Sequence, residues 1–98
     1  MNINKMLKDA QLMQSKLEKM QDEMANKSYD IAKNGLKISA NGSKKILSID
    51  IDEDLLDDRE MLQDLLLVSM NDLFNNIDED SASKMAQVTG GASIPGLF

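Results

Sequence analysis

The amino-acid sequence predicts an α+β protein in which two long helices flank a three-stranded antiparallel sheet. The pairs Asn34-Gly35 and Asn41-Gly42 separate three short runs of alternating apolar and polar residues, and Asn-Gly strongly favours the tight turn of a β-hairpin. On both sides of these runs the apolar residues recur with helical spacing. Because 98 residues suffice for one compact domain, we expect residues 1–98 to form a single domain.

The composition excludes several classes of function. The chain has no Cys and no His, which excludes disulfide bonds and thiolate metal sites and removes the commonest general base. No nucleotide-binding or nucleophile motif occurs, so we expect no enzymatic activity, metal, cofactor or small-molecule substrate. No apolar run approaches about 18 residues, and the N-terminus lacks a signal-peptide pattern. We therefore expect a cytoplasmic protein without membrane contact.

Residues 2–26 have the pattern of one long helix, about 37 Å in length. Two apolar series repeat every seven residues, and Leu7 and Leu12 are expected to widen the stripe that they form. The series consist of Ile3, Ala10, Leu17 and Met24, and of Met6, Met13 and Met20. This stripe predicts either a seam between helices, including one between two protomers, or a helix lying on its own sheet. The length of the helix favours a part that projects or pairs.

The three strands are expected to form a meander. A two-residue turn at Asn34-Gly35 fixes the register of the first two strands, with the pairs Tyr29 and Ala40, and Ile31 and Ile38. For the second turn we prefer a four-residue loop, Asn41 to Lys44, because a two-residue loop would set Lys45 beside Ile38. The pairs of strands two and three are then Leu36 with Ile49 and Ile38 with Leu47. Leu47, Ile49 and Ile51 are expected to face the core.

A second helix is expected to begin near Asp57-Asp58, since either Asp can act as its N-cap. Residues 65–68 are apolar on more than one face, which is typical of a helix covered from two sides. A second copy of the chain is one candidate for the outer cover. The dimer interface that we predict consists of Leu65, Leu66, Leu67 and Met70. Beyond this helix we expect a short separate helical piece over 83–88 and a mobile Gly/Pro tail over 89–98.

The net charge of −6 is unevenly distributed. Residues 53–80 carry ten acidic residues and one Arg, whereas each of the other segments has a small surplus of Lys. A polyanion could therefore dock only outside residues 53–80. The lysines of the first helix either meet such a polyanion or form a solvated face, on which Lys5 pairs with Asp9 and Lys19 with Glu23.

The order and spacing of several short motifs resemble the YbaB/EbfC family of bacterial nucleoid-associated proteins over nearly the whole chain. The motifs are Gly35-Leu36 with Asn41-Gly42, Ile49-Asp50 with Leu55-Leu56, Glu60-Met61-Leu62 with Asp64-Leu65, Asn71-Asp72, and Lys84-Met85 with Thr89-Gly90-Gly91. The resemblance implies small cytoplasmic homodimers with helices flanking an antiparallel sheet. It also implies that they bind DNA, associate with the nucleoid, and influence its organisation and gene expression.

On this basis we expect a homodimeric protein that binds double-stranded DNA, mainly through the phosphate backbone, because Lys supplies charge but little base-edge recognition. The main candidates for these contacts are Lys5, Lys8, Lys16 and Lys19, followed by Lys44, Lys45 and Lys84. The alternative is an acidic dimeric adaptor or chaperone-like protein that binds other polypeptides, since Met-rich surfaces adapt to varied partners.

Overall fold

The computed structural model describes residues 2–89. Helix α1 spans Ile3–Ala25, and the strands that follow are β1 (Ser28–Lys33), β2 (Leu36–Asn41) and β3 (Ile46–Ile51). A short 3₁₀ helix, Glu53–Asp57, leads into helix α2, Arg59–Thr89. The strands form one antiparallel sheet in the order β1-β2-β3. The predicted α+β fold, with helices on both sides of a meander in sequence, is confirmed.

Helix α1 agrees with the predicted range 2–26 to within one residue at each end, and within residues 2–89 only its C-terminal part packs against the rest of the chain. Its N-terminus is capped by Asn2, whose side-chain Oδ1 accepts a hydrogen bond from the backbone N–H of Lys5 at 3.3 Å. Met20 and Met24 are its only buried residues. Met24 belongs to the core cluster, and α1 packs mainly against α2. The side chains of residues 3–16 are exposed. The expectation of a projecting helix therefore holds for the first half of α1.

The turn between β1 and β2 has the conformation that the Asn-Gly pair predicts. Asn34 and Gly35 both have positive φ, 48° and 94°, as a type I′ turn requires. The registers Tyr29 with Ala40 and Ile31 with Ile38 are confirmed. All four side chains lie on the face that carries the core.

The predicted register between β2 and β3 is wrong by two residues. Ile38 lies opposite Ile49, not Leu47, and Leu36 lies opposite Ile51. One residue of the difference comes from the loop, because Asn41 still belongs to β2 and its N–H donates to the carbonyl of Lys45 at 3.0 Å. The other comes from a bulge in β3. Leu47 occupies this bulge and is 53% exposed, so it does not face the core as predicted.

Gly42 brings the β2–β3 loop into direct contact with the end of α1. Its N–H donates to the carbonyl of Met24 at 2.9 Å, and this carbonyl in the last turn of α1 also accepts from the N–H of Lys27 at 3.1 Å. A Cβ atom at this position would lie 2.2 Å from the Met24 oxygen. Only a glycine fits here, and the hairpin loop thus acts as a cap for α1.

Helix α2 begins as predicted but continues further. Asp58 is the N-cap, because its Oδ1 accepts a hydrogen bond from the N–H of Met61 at 3.1 Å. The helix is unbroken to Thr89, so the separate helical piece expected over 83–88 is the last part of α2. Residues 78–83 contain no Gly or Pro to end the helix. Of the tail predicted over 89–98, Thr89 belongs to α2, and residues 90–98 lie outside the described part of the chain.

The core lies between α2 and the sheet, where α2 packs mainly on β1 and β2. Its buried members are Met24, Leu36, Ile38, Ala40, Leu55, Leu73 and Ile77. Because α2 leaves the third strand largely uncovered, Ile49 is 47% exposed although it lies beside the buried Ile38. One sheet edge of the subunit is therefore apolar and accessible.

We expect Ser69→Ala to raise the free energy of unfolding by about 1 kcal/mol. A buried hydroxyl loses its hydrogen bonds to water, and here no bond within residues 2–89 replaces them. The Ser69 side chain is fully buried, and its Oγ has no hydrogen-bond partner among the described residues. Urea unfolding measures the change. Ser83→Ala, at an exposed position of the same helix, reports the gain from helix propensity alone. An equal or smaller gain at position 69 would contradict the expectation.

Candidate nucleic-acid interface

The four lysines predicted as main DNA contacts lie on one face of α1. At about 100° per residue, the side chains of Lys5, Lys8, Lys16 and Lys19 fall within a sector of about 80°. All four are exposed, and within residues 2–89 none of them makes an ion pair. The local pairs of Lys5 with Asp9 and of Lys19 with Glu23 are therefore not formed. The positive charge of this face is available to an external partner.

Leu12 also belongs to this lysine face, contrary to the expectation that it widens the apolar stripe. It lies seven residues from both Lys5 and Lys19, and therefore points in nearly the same direction as they do. Leu7, by contrast, does adjoin the apolar stripe. Both leucines are 56% exposed.

A shallow groove joins the lysine face to the end of α2. It has a volume of about 310 Å³, and its lining includes Lys16, Lys19 and Glu23 from α1 and Lys84 and Gln87 from α2. Three of the seven predicted contacts are thus brought together, although they are up to 68 residues apart in sequence. The proximity of Lys84 to Lys16 and Lys19 could not be predicted from sequence spacing, because it depends on α2 continuing through residue 84.

Other lysines are bound to carboxylates of α2. Lys44 Nζ lies 2.7 Å from Asp78 Oδ1 and over the ring of Phe74, 5.9 Å from its centre. Lys33 pairs with Asp72. Lys45, next to Lys44 in the loop, is exposed and makes no ion pair within residues 2–89. Of the second group of predicted contacts, Lys44 and Lys84 are therefore already paired and Lys45 is not.

Asp80 is the most heavily partnered carboxylate among the described residues. It accepts hydrogen bonds from Lys84 at 2.7 Å, from Lys27 at 3.0 Å and from the Tyr29 hydroxyl. The Lys84, Tyr29 and Lys27 donors hold the pKa of the Asp80 carboxyl well below its usual range. The bond with Asp80 raises the pKa of Lys84, and burial, followed by the bond to Asp80, raises the pKa of Tyr29. The cluster was not predicted from the sequence, although the four-residue spacing of Asp80 and Lys84 is typical of an ion pair on a helix.

We expect Asp80→Asn to lower the free energy of unfolding by about 1 kcal/mol at pH 7. It weakens the bonds that join α2 to Tyr29 of β1 and to Lys27 in the α1–β1 connection, and the bond to Lys84 within α2. The pKa of Asp80 is lower in the folded protein, so its contribution is complete above the unfolded value near 4 and is lost as the pH falls below it. Urea unfolding should therefore show a smaller difference in the free energy of unfolding between wild type and Asp80→Asn at pH 3 than at pH 7. Asp9→Asn, at an exposed carboxylate without an ion pair within residues 2–89, should have little effect at either pH.

The model of the YbaB/EbfC DNA-binding family matches residues 1–92. The chain belongs to this family. Among curated YbaB/EbfC relatives, a nucleoid-associated protein of Thermoanaerobacter pseudethanolicus is 46% identical over 99% of this chain and 91% of its own length. A nucleoid-associated protein of Clostridium novyi is 43% identical over 100% of this chain and 90% of its own length. One from Mycoplasmopsis pulmonis is 42% identical over 93% of both chains.

A solved structure shows the same fold. The crystal structure of an uncharacterized protein from Helicobacter pylori superposes with a TM-score of 0.83 and covers 92% of this chain and 99% of that one. The two sequences are 18% identical, so this likeness bears on the fold alone. Among residues 2–89 of this YbaB/EbfC protein, no helix is long and apolar enough to cross a membrane.

The residues predicted for a dimer interface differ in their solvent exposure within one subunit. Leu65, Leu66 and Met70 are half-buried against the core of the subunit. Leu67 is 64% exposed, and its neighbour Val68 is 48% exposed. The predicted apolar belt therefore exists, with one side covered within the chain and the other accessible.

Proposed function

We propose that this YbaB/EbfC protein binds double-stranded DNA as a homodimer, mainly through the phosphate backbone, and thereby influences nucleoid organisation and gene expression. The observation that carries the proposal is the lysine face of α1: four exposed ammonium groups on one side of the helix, three of them on its projecting half, and none neutralised within residues 2–89. Its relatives are named nucleoid-associated proteins, and we infer the same cytoplasmic, nucleoid location here.

The distribution of charge explains how an acidic chain can bind a polyanion. The ten acids of residues 53–80 lie on the 3₁₀ helix, at the N-cap of α2 and on α2 itself, and three of them bind Lys27, Lys33, Lys44 and Lys84. The lysine face of α1 lies on the projecting element, away from most of that negative charge. A phosphate approaching α1 meets positive charge first, and the acids favour docking on this face over docking elsewhere.

The phosphate backbone is the part of DNA that this face suits. Lysine presents a compact point charge and lacks the planar fork with which Arg reads guanine. The only Arg of the chain, Arg59, is at the start of α2 among acidic residues. Contacts by Lys5, Lys8, Lys16 and Lys19, extended by Lys84 across the groove and by Lys45 in the loop, therefore favour binding with little base specificity. Lys44 and Lys84 are bound to Asp78 and Asp80, so each contributes only where DNA displaces its carboxylate partner.

The homodimer is supported by apolar surface that the subunit leaves uncovered. Leu67 and Val68 on α2 and Leu47 and Ile49 on β3 are each about half exposed or more, and β3 is an edge strand. A second copy would cover such surfaces and bring a second lysine face to the same duplex. Sedimentation equilibrium tests this, and a monomer at micromolar concentration would contradict it.

A mobility-shift titration over a salt series tests DNA binding. For a protein that neutralises phosphates, the logarithm of the association constant falls linearly with the logarithm of salt concentration, by about 0.9 per contact. Absence of salt-dependent binding at low ionic strength would contradict the proposal. A pull-down after nuclease treatment tests the alternative adaptor function. Recovery of a defined polypeptide, together with no DNA binding in the mobility shift, would favour that function, for which Met6 and Met13 of α1 are exposed.

A further inference from the structure

The lysine face of α1 has a symmetric pattern centred on an apolar residue. Along the helix it runs Lys5, Lys8, Leu12, Lys16 and Lys19, with intervals of three, four, four and three residues. Leu12 is 56% exposed and is not among the residues that pack against the core. Leu12 is thus an exposed apolar residue between four lysines that make no ion pair within residues 2–89.

The helical geometry places the lysines on both sides of the direction in which Leu12 points. At about 100° per residue, Lys8 and Lys19 lie about 40° and 20° to one side of Leu12. Lys5 and Lys16 lie about 20° and 40° to the other side. Each side thus has one lysine N-terminal and one C-terminal to Leu12. The whole pattern spans about 21 Å of helix.

This arrangement matches the cross-section of the major groove. The groove is about 12 Å wide and admits an α-helix of 10–12 Å diameter, and its floor presents the C5-methyl group of thymine as its apolar feature. A phosphate row borders the groove on each side. With Leu12 directed at the floor, Lys5 and Lys16 lean towards one row and Lys8 and Lys19 towards the other.

We propose that the projecting half of α1 lies in the major groove of DNA with Leu12 against thymine methyl groups. Lys5 then faces one strand and Lys8 the other, while Lys16 and Lys19 lie at the mouth of the groove, where α1 meets the end of α2. This inference rests on the proposed DNA binding and adds to it a groove, an orientation and a base preference. Leu12 then supplies selectivity for thymine-containing DNA, while the lysines supply most of the affinity.

The test compares two duplexes of the same sequence, one with thymine and one with uracil, which differ only in the C5-methyl group. We expect the wild-type protein to bind the thymine duplex about three- to tenfold more tightly, as the burial of a few methyl-sized contacts allows. Leu12→Ala should abolish this preference and leave the salt dependence of binding unchanged, because no phosphate contact is lost. Leu12→Met should keep most of the preference.

Leu7→Ala is the matched control, because Leu7 has the same exposure as Leu12 but lies on another side of the helix. It should retain the wild-type preference. The inference is overturned if wild type does not distinguish the duplexes, if Leu12→Ala still does, or if Leu7→Ala loses the preference equally. If wild type binds neither duplex, the proposed function itself fails, and wild type alone reveals this.

Discussion

Replacing both Lys8 and Lys16 with Gln is expected to weaken DNA binding roughly 100-fold or more near 0.1 M salt. In a homodimer the double substitution removes four positive charges from the DNA-binding face. If each meets a phosphate, the slope of log affinity against log salt becomes shallower by about 3.6, at about 0.9 per contact. A mobility-shift titration at several salt concentrations measures both quantities.

The matched control for this variant is the double substitution Lys27→Gln and Lys33→Gln. It changes the net charge by the same amount, but these lysines are bound to Asp80 and Asp72. The control should therefore keep most of the affinity and the full salt slope. Equal losses in both variants would mean that net charge, and not the lysine face of α1, determines binding.

Replacing Gly42 with Ala is expected to lower the free energy of unfolding by about 3 kcal/mol. The added Cβ would lie 2.2 Å from the Met24 carbonyl oxygen and 2.6 Å from its carbon, so the loop and the helix end must separate. That separation also breaks the hydrogen bond from the Gly42 N–H to Met24. Urea unfolding followed by circular dichroism measures the loss.

Lys45→Ala serves as the control in the same loop, since its side chain is exposed and the backbone bonds of Lys45 remain. We expect a change of less than about 0.5 kcal/mol. A loss at Gly42 as small as that at Lys45 would show that the loop moves away from α1 at little cost.

Much of the fold could be predicted because it depends on local sequence. Asn34-Gly35 determines both the turn and the register of β1 with β2, because that turn requires positive φ at both residues. Asp58 identifies the start of α2 by its capping side chain. The register of β3 could not be predicted, because the bulge at Leu47 and the approach of Gly42 to Met24 depend on contacts between distant elements.

The lysine face could be predicted from periodicity, since it lies on one regular helix. Which of the other lysines are neutralised could not be predicted, because the pairing of Lys27, Lys33 and Lys44 with acids of α2 depends on tertiary structure. The partners are far apart in the sequence, and Lys27 and Asp80, for example, are separated by 53 positions. The direction of Leu12 could be predicted from sequence spacing alone, because a residue seven positions from both Lys5 and Lys19 lies on nearly the same side of the helix as they do.

The two halves of α1 should differ in how fast their backbone amides exchange hydrogen with solvent. Residues 17–25 are held by Met20, Met24 and the Gly42 cap, so their exchange requires opening of the core. Residues 3–16 have exposed side chains, and a helix of that length is marginal on its own in water. This half should unfold and reform locally while the sheet stays intact. DNA would then bind a helix that it also helps to form, and part of the electrostatic attraction would offset the entropy lost in ordering it.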